Sequence, residues 1–163
     1  KCTFWLLLGG MCRFWQGYTI SYYAIKFFAL YKKPAAYGIS NALSVLIGGF
    51  ISNMFGGIVS DKYEKVNYRT KSWVAVCMSL ACVPVSLALF LIDGSFVFSV
   101  SMLFLDYLLC EGWISPVYAM IQTVIDVKYK GVSIGVFQFG TTIAGTLAVV
   151  SLGFLITEEG ADE

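Results

Sequence analysis

The chain has 163 residues, of which 58% are hydrophobic, 17% aromatic and 13% charged, with a net charge of +1 and no histidine. A soluble domain carries about 25% charged and about 45–50% apolar residues, so this composition excludes an ordinary water-soluble domain, a disordered chain and a secreted disulfide scaffold. The balanced charge gives no general pull towards nucleic acid or acidic membranes, and the lack of His removes the commonest metal ligand, general base and pH switch.

A bilayer core about 30 Å thick needs about 20 apolar residues, and five stretches reach that length. The first, about 3–31, is stopped by Lys32-Lys33-Pro34 and is too long and too charged for a cleavable signal peptide. The second, about 36–59, ends at the charged residues 61–71, and the third, about 72–92, at the turn pair Asp93-Gly94. The fourth, about 95–125, contains Pro116, which predicts a kink or strong tilt. The fifth, about 131–156, runs into the acidic tail Glu158-Glu159-Gly160-Ala161-Asp162-Glu163. Barrel strands are about 10 residues long and alternate apolar with polar, whereas Leu87-Ala88-Leu89-Phe90-Leu91-Ile92 does not alternate. The expected fold is therefore all-α, a polytopic transmembrane bundle of five spanning helices. Lys62, Lys65, Arg69, Lys71, Lys128 and Lys130 place six cations on one side against Lys26, Lys32 and Lys33 on the other, which puts the loops at 62–71 and 126–130 in the cytoplasm. An odd number of spans leaves the termini on opposite faces, and the chain starts with Lys, so a piece of a longer polypeptide with a sixth span beyond Glu163 is expected.

The five cysteines are Cys2, Cys12, Cys77, Cys82 and Cys110. All but Cys2 lie in apolar runs, where a thiol behaves as a small hydrophobe, and their spacing matches neither a zinc site nor a CxxC redox pair. They read as packing residues, and no metal or other cofactor is expected. Small residues let helices approach closely in lipid. Gly38, Gly48, Gly49, Gly56 and Gly57 in the second stretch, with Gly49 and Gly56 one heptad apart, and Gly131, Gly135, Gly140 and Gly145 in the fifth predict glycine faces. These serve either static packing or the sliding of whole helices during a functional cycle.

Charges at membrane depth cost about 2.5–3.5 kcal/mol each on insertion scales and normally mark function. Arg13 and Asp106 each lie about ten residues into their stretches, about 15 Å deep at 1.5 Å per residue, where an ion pair would offset their desolvation. Glu111 lies about 7.5 Å beyond Asp106 and is rotated by about 140°, so the two acids do not share a face. These charges either fix helix packing or bind substrate and carry protons; without His, proton coupling falls to a carboxyl. Gln16 and Tyr23, one heptad apart, are expected to line a pocket with Arg13, while most other aromatics, such as Trp5, Tyr31 and Trp73, suit interfacial belts.

The run from Gly56-Gly57 through Ser60-Asp61-Lys62 to Glu64 and Lys65 puts tight-packing glycines beside an acid and bases at the cytoplasmic surface. There Asp61 is expected to pair with a base or to cap an adjacent helix. This run resembles the loop signature of the major facilitator superfamily, G-x-x-x-D-[RK], at Gly57, Asp61 and Lys62, with Glu64 where a glycine is usual. Glu111-Gly112-Trp113-Ile114-Ser115-Pro116-Val117-Tyr118-Ala119, followed by Gln122, Asp126, Lys130 and Gly131, is similar to the tenth-helix segment of spinster-like transporters; Pro84 adds to the likeness. The resemblance implies helices seven to eleven of a major-facilitator-type fold, the N-terminal half being the alternative because the halves are related repeats.

It further implies a secondary active transporter working by alternating access, a partner half in the same protein, and a bilayer for surroundings, either plasma membrane or endolysosomal membrane. The implied cargo is a lysophospholipid, a sphingolipid phosphate or a similar amphiphile, with proton linkage. In that picture Gly57, Asp61, Lys62, Asp126 and Lys130 form a cytoplasmic charge latch. Arg13 is the candidate for an anionic headgroup, and Glu111 or Asp106 for the proton carrier. A carrier of another organic anion or sugar phosphate, or a non-transporting membrane scaffold, are the alternatives. An enzyme is not expected, since neither a metal cluster nor a paired catalytic acid motif is legible, and neither is a nucleic-acid partner.

Overall fold

A computed structural model describes residues 2–67, 69–92 and 94–159, with the backbone alone for Cys2 and for residues 155–159. Asp93 and residues 160–163 of the acidic tail, both singled out above, lie outside the described residues. Among the described residues there is no strand; the chain is helix joined by short turns. The α-helices are α1 (Cys2–Ala29), α2 (Pro34–Leu43), α3 (Phe50–Glu64), α4 (Thr70–Leu91), α5 (Phe96–Cys110), α6 (Ile114–Val124) and α7 (Lys130–Glu159).

Several of these ends follow from local chemistry. Lys32 adopts φ 54°, in the left-handed region, and turns the chain out of α1. Pro34 then opens α2, where its missing N–H costs nothing. Ser95 caps α5 by accepting from the Phe98 N–H.

Two irregular segments interrupt otherwise continuous helices. A π-helical turn, Ser44–Gly49, joins α2 to α3, and a 3-10 turn, Glu111–Trp113, joins α5 to α6. The second meets the expectation of a distortion near Pro116, which has no N–H to offer the Gly112 carbonyl four residues earlier. The first has a different origin. Ser44, Gly48, Ser52, Gly56 and Ser60 recur every fourth residue and are all buried. On a helix of 3.6 residues per turn such a stripe drifts by about 40° per step, and the wider π turn takes up part of that drift.

Four helical stretches are long and apolar enough to cross a membrane: Pro34–Glu64, Thr70–Leu91, Phe96–Val124 and Val127–Phe154. The first expected span is a helix of 28 residues, but it is not among these four. Arg13, Gln16, Lys26 and its tyrosines dilute its apolar character.

The chain divides into two compact units, Lys1–Lys26 with Ile121–Glu163, and Phe27–Met120. In the first unit α1 and α7 meet through glycines. A β-carbon on Gly10 would collide with Phe137 and Thr141, one on Gly140 would come 3.1 Å from Leu7, and one on Gly145 would press on the Tyr18 ring at 2.8 Å. These contacts advance together along both helices, so α1 and α7 run parallel. A β-carbon on Gly131 or Gly135, both expected on the same face, would meet nothing within 4 Å.

In the second unit α5 lies between α4 and the π turn, and α3 packs on α4 and on the 3-10 turn. The buried residues Ser99, Leu103, Asp106, Cys110, Trp113 and Val117 alternate steps of four and three, a continuous seam of the coiled-coil kind. Aromatic rings close one end of the unit: Phe28, fully buried, stacks on Tyr37 at 4.6 Å, and Tyr31 meets Phe27 and Phe96 edge-on. The Tyr31 hydroxyl donates to the Gly94 carbonyl at 2.9 Å.

Candidate functional site

Asp106 occupies the middle of the α5 seam, where a residue facing α4 would ordinarily be apolar. It is 7% exposed, and one carboxylate oxygen, Oδ1, gathers three donors. Ser86 Oγ donates at 2.9 Å, Cys82 Sγ at 3.3 Å and Cys110 Sγ at 3.4 Å. The geometry follows from two matched spacings. Cys82 and Ser86 stand four residues apart on α4, and Asp106 and Cys110 four apart on α5, so each pair shares one helical face. Cys82 Sγ and Ser86 Oγ are themselves 3.6 Å apart.

A buried carboxyl is costly unless hydrogen-bonded, and here each named donor is a neutral hydroxyl or thiol. Each can donate or accept by rotating about its C–O or C–S bond. The cysteines do pack as small buried side chains, as expected of Cys82 and Cys110, yet they also serve Asp106. What local spacing hid was the pairing of i, i+4 polar steps on two consecutive apolar helices, and that pattern is the signal that finds the site.

Glu111 falls in the 3-10 turn of the same unit and is half-buried. Arg13, Gln16 and Tyr23 belong to the other unit, on α1. Arg13 is half-buried and donates from one terminal nitrogen to Gln16 Oε1 at 3.1 Å, so this pair shares a face. Tyr23 stands edge-on to Tyr22, and Lys26 Nζ lies 4.8 Å from the centre of the Tyr22 ring.

The residues of the expected latch divide between the units, with Gly57, Asp61 and Lys62 in one and Asp126 and Lys130 in the other. Asp61 and Lys62 are exposed. Among the described residues the acid that meets a base here is Glu64, whose Oε2 lies 2.8 Å from Lys71 Nζ, and the side chain of Lys71 is only 10% exposed. Glu64, which departs from the resembled signature, thus ties the end of α3 to the start of α4. A β-carbon on Gly57 would make ordinary contact with Ser115 at 3.5 Å, whereas one on Gly56 would collide with the Gly112 carbonyl oxygen. Asp126 precedes the 3-10 turn Val127–Tyr129 and accepts at its carbonyl from the Tyr129 N–H at 2.9 Å, and Lys130 opens α7.

Compared with known protein families, with curated proteins and with solved structures, the chain has no match.

Proposed function

We propose that the chain is the membrane-embedded part of a proton-linked secondary transporter that moves an amphiphilic anion by alternating access. The observation that carries this reading is Asp106: a buried carboxyl in a long apolar helical stretch, held from its own helix and from α4 by donors that can reverse their hydrogen bonds. An acid retained at such depth, at a cost of about 2.5–3.5 kcal/mol, is the feature expected of a proton relay. In this reading α1 supplies the cargo contact, with Arg13, oriented by Gln16, meeting a phosphate or carboxylate headgroup. Asp61 and Lys62, with Asp126 and Lys130, act at the cytoplasmic ends of the helices. The glycine contacts of α1 with α7, and of α3 with the 3-10 turn, give the close, smooth surfaces on which helices rock.

The test is flux of a lysophospholipid or a sphingolipid phosphate in vesicles containing the protein with its partner half. Asp106→Asn is expected to abolish accumulation driven by a proton gradient while leaving exchange. Arg13→Ala is expected to cut flux at least tenfold, and Glu111→Gln to change its pH dependence. Full flux in all three folded variants would leave a membrane scaffold, whose buried polar groups only join helices.

A further inference from the structure

The geometry points to a binding site for a thiophilic divalent cation, of the zinc and cadmium class, formed by Cys82, Asp106 and Cys110. Their three ligand atoms lie within 4.8 Å of one another, and all three residues are buried. Tetrahedral zinc with a Zn–S bond of about 2.3 Å and a Zn–O bond of about 2.1 Å needs S···O separations of about 3.6 Å and an S···S separation of about 3.8 Å. The two S···O distances present are 3.3 and 3.4 Å, a few tenths of an ångström short of those separations, and the two sulfurs lie within 4.8 Å of each other. Two facing helices of a bundle are a usual source of such ligands.

Charge favours the divalent class. With the carboxylate ionised and both thiols protonated, the cluster carries one negative charge. When the ion enters, two S–H bonds break, two metal–sulfur bonds form and two protons leave to solvent. The dication, two thiolates and the carboxylate again sum to one negative charge, so the exchange adds no net charge to a buried place. Two sulfur ligands select against magnesium and calcium, which require oxygen. Ser86, 2.9 Å from Oδ1, remains hydrogen-bonded to the carboxylate and orients it from the outer shell. This inference stands on the cluster alone and does not depend on transport. If transport also holds, a bound ion would occupy the oxygen that the proton uses and lock α4 to α5.

The experiment uses the protein in detergent micelles with Cys2, Cys12 and Cys77 changed to Ser, and cadmium chloride as probe. The expected result is one cadmium per chain, a thiolate-to-cadmium charge-transfer band and two protons released per ion. Cys82→Ser or Cys110→Ser should weaken binding by more than about a hundredfold, and Asp106→Asn or Ser86→Ala by about 10–100-fold, with helical content unchanged. In the unsubstituted protein, cadmium should protect Cys82 and Cys110 from alkylation. That arm covers the event that a variant fails to fold. A band that persists in the Cys82→Ser/Cys110→Ser double variant, no band in the starting protein, equal affinity in Asp106→Asn, or alkylation unaffected by cadmium would each overturn the assignment.

Discussion

Gly56 of α3 and Gly112 of the 3-10 turn meet backbone to backbone, and neither has room for a β-carbon. The position of a β-carbon on Gly56 is taken by the Gly112 carbonyl oxygen, and one on Gly112 would come 2.8 Å from the Ser52 carbonyl oxygen. Both neighbours are main chain, so neither can swing aside. Pro116 contributes to this contact, because a residue with an N–H there would offer the Gly112 carbonyl a helical partner.

Gly56→Ala and Gly112→Ala should therefore each destabilise the protein by about 3 kcal/mol, at the upper end of overpacking costs. Gly49→Ala is the comparison, since a β-carbon there meets nothing within 4 Å. It should be neutral or stabilising by up to about 1 kcal/mol from helix propensity. Unfolding in mixed micelles of rising denaturing detergent measures all three.

Ser52 Oγ is buried without a hydrogen-bond partner, and the hydroxyl faces the same contact with Gly112. Removing it leaves no donor unsatisfied on the other side. Ser52→Ala should leave stability unchanged or raise it by about 1 kcal/mol, whereas Ser52→Val should lower it through overpacking. The same unfolding measurement separates the two.

Asp106 is held by donors from two helices, and the consequences depend on what replaces it. Asn keeps an acceptor oxygen for Ser86, so Asp106→Asn should cost less than about 1 kcal/mol. Asp106→Leu leaves the buried Ser86 hydroxyl only the weak sulfur partner Cys82 and fills the seam differently, and should cost about 1–3 kcal/mol. Restoring part of that loss by combining Asp106→Leu with Ser86→Ala would show that the penalty comes from the acceptor the hydroxyl has lost, as a double-mutant cycle reads directly.

The Lys71–Glu64 pair is asymmetric, with the Lys71 side chain 10% exposed and that of Glu64 41% exposed. Glu64→Gln leaves a mostly buried ammonium without its counter-ion and should cost about 1 kcal/mol after discounting for solvent on the glutamate side. Lys71→Met replaces the cation by an apolar chain of similar length, and should be neutral or stabilising. Raising the salt concentration should shrink the difference between wild type and Glu64→Gln.

Phe28 anchors the aromatic end of its unit and is fully buried, stacked on Tyr37 and edge-on to Phe27 and Phe96. Phe28→Ala should cost about 3–5 kcal/mol. Phe28→Leu should recover more than half of that loss, and near-ultraviolet circular dichroism should report the disrupted ring cluster.

Composition and runs of apolar residues determined that this protein is helical and carries stretches able to cross a bilayer, because such runs are local and a helix satisfies its own backbone without regard to its neighbours. Lys32-Lys33-Pro34 and Pro116 marked a helix end and a distortion for the same reason: each acts on its own few residues. Pairings between residues distant in the chain were beyond that reading. Glu64 was legible only as a departure from a signature, and it proves to meet Lys71 across a turn. Gly57 stood out in the pattern, while the close contact belongs to Gly56, since which of two adjacent glycines faces a neighbour depends on the rotation of the packed helix. Cys82 and Cys110 read as packing residues in apolar runs, and Ser86 drew no notice. Cys110 shares a helical face with Asp106, but only the packing of α4 on α5 brought Cys82 and Ser86 to the same oxygen, because donors from two helices come within 3.5 Å of a single atom when the register between those helices is set.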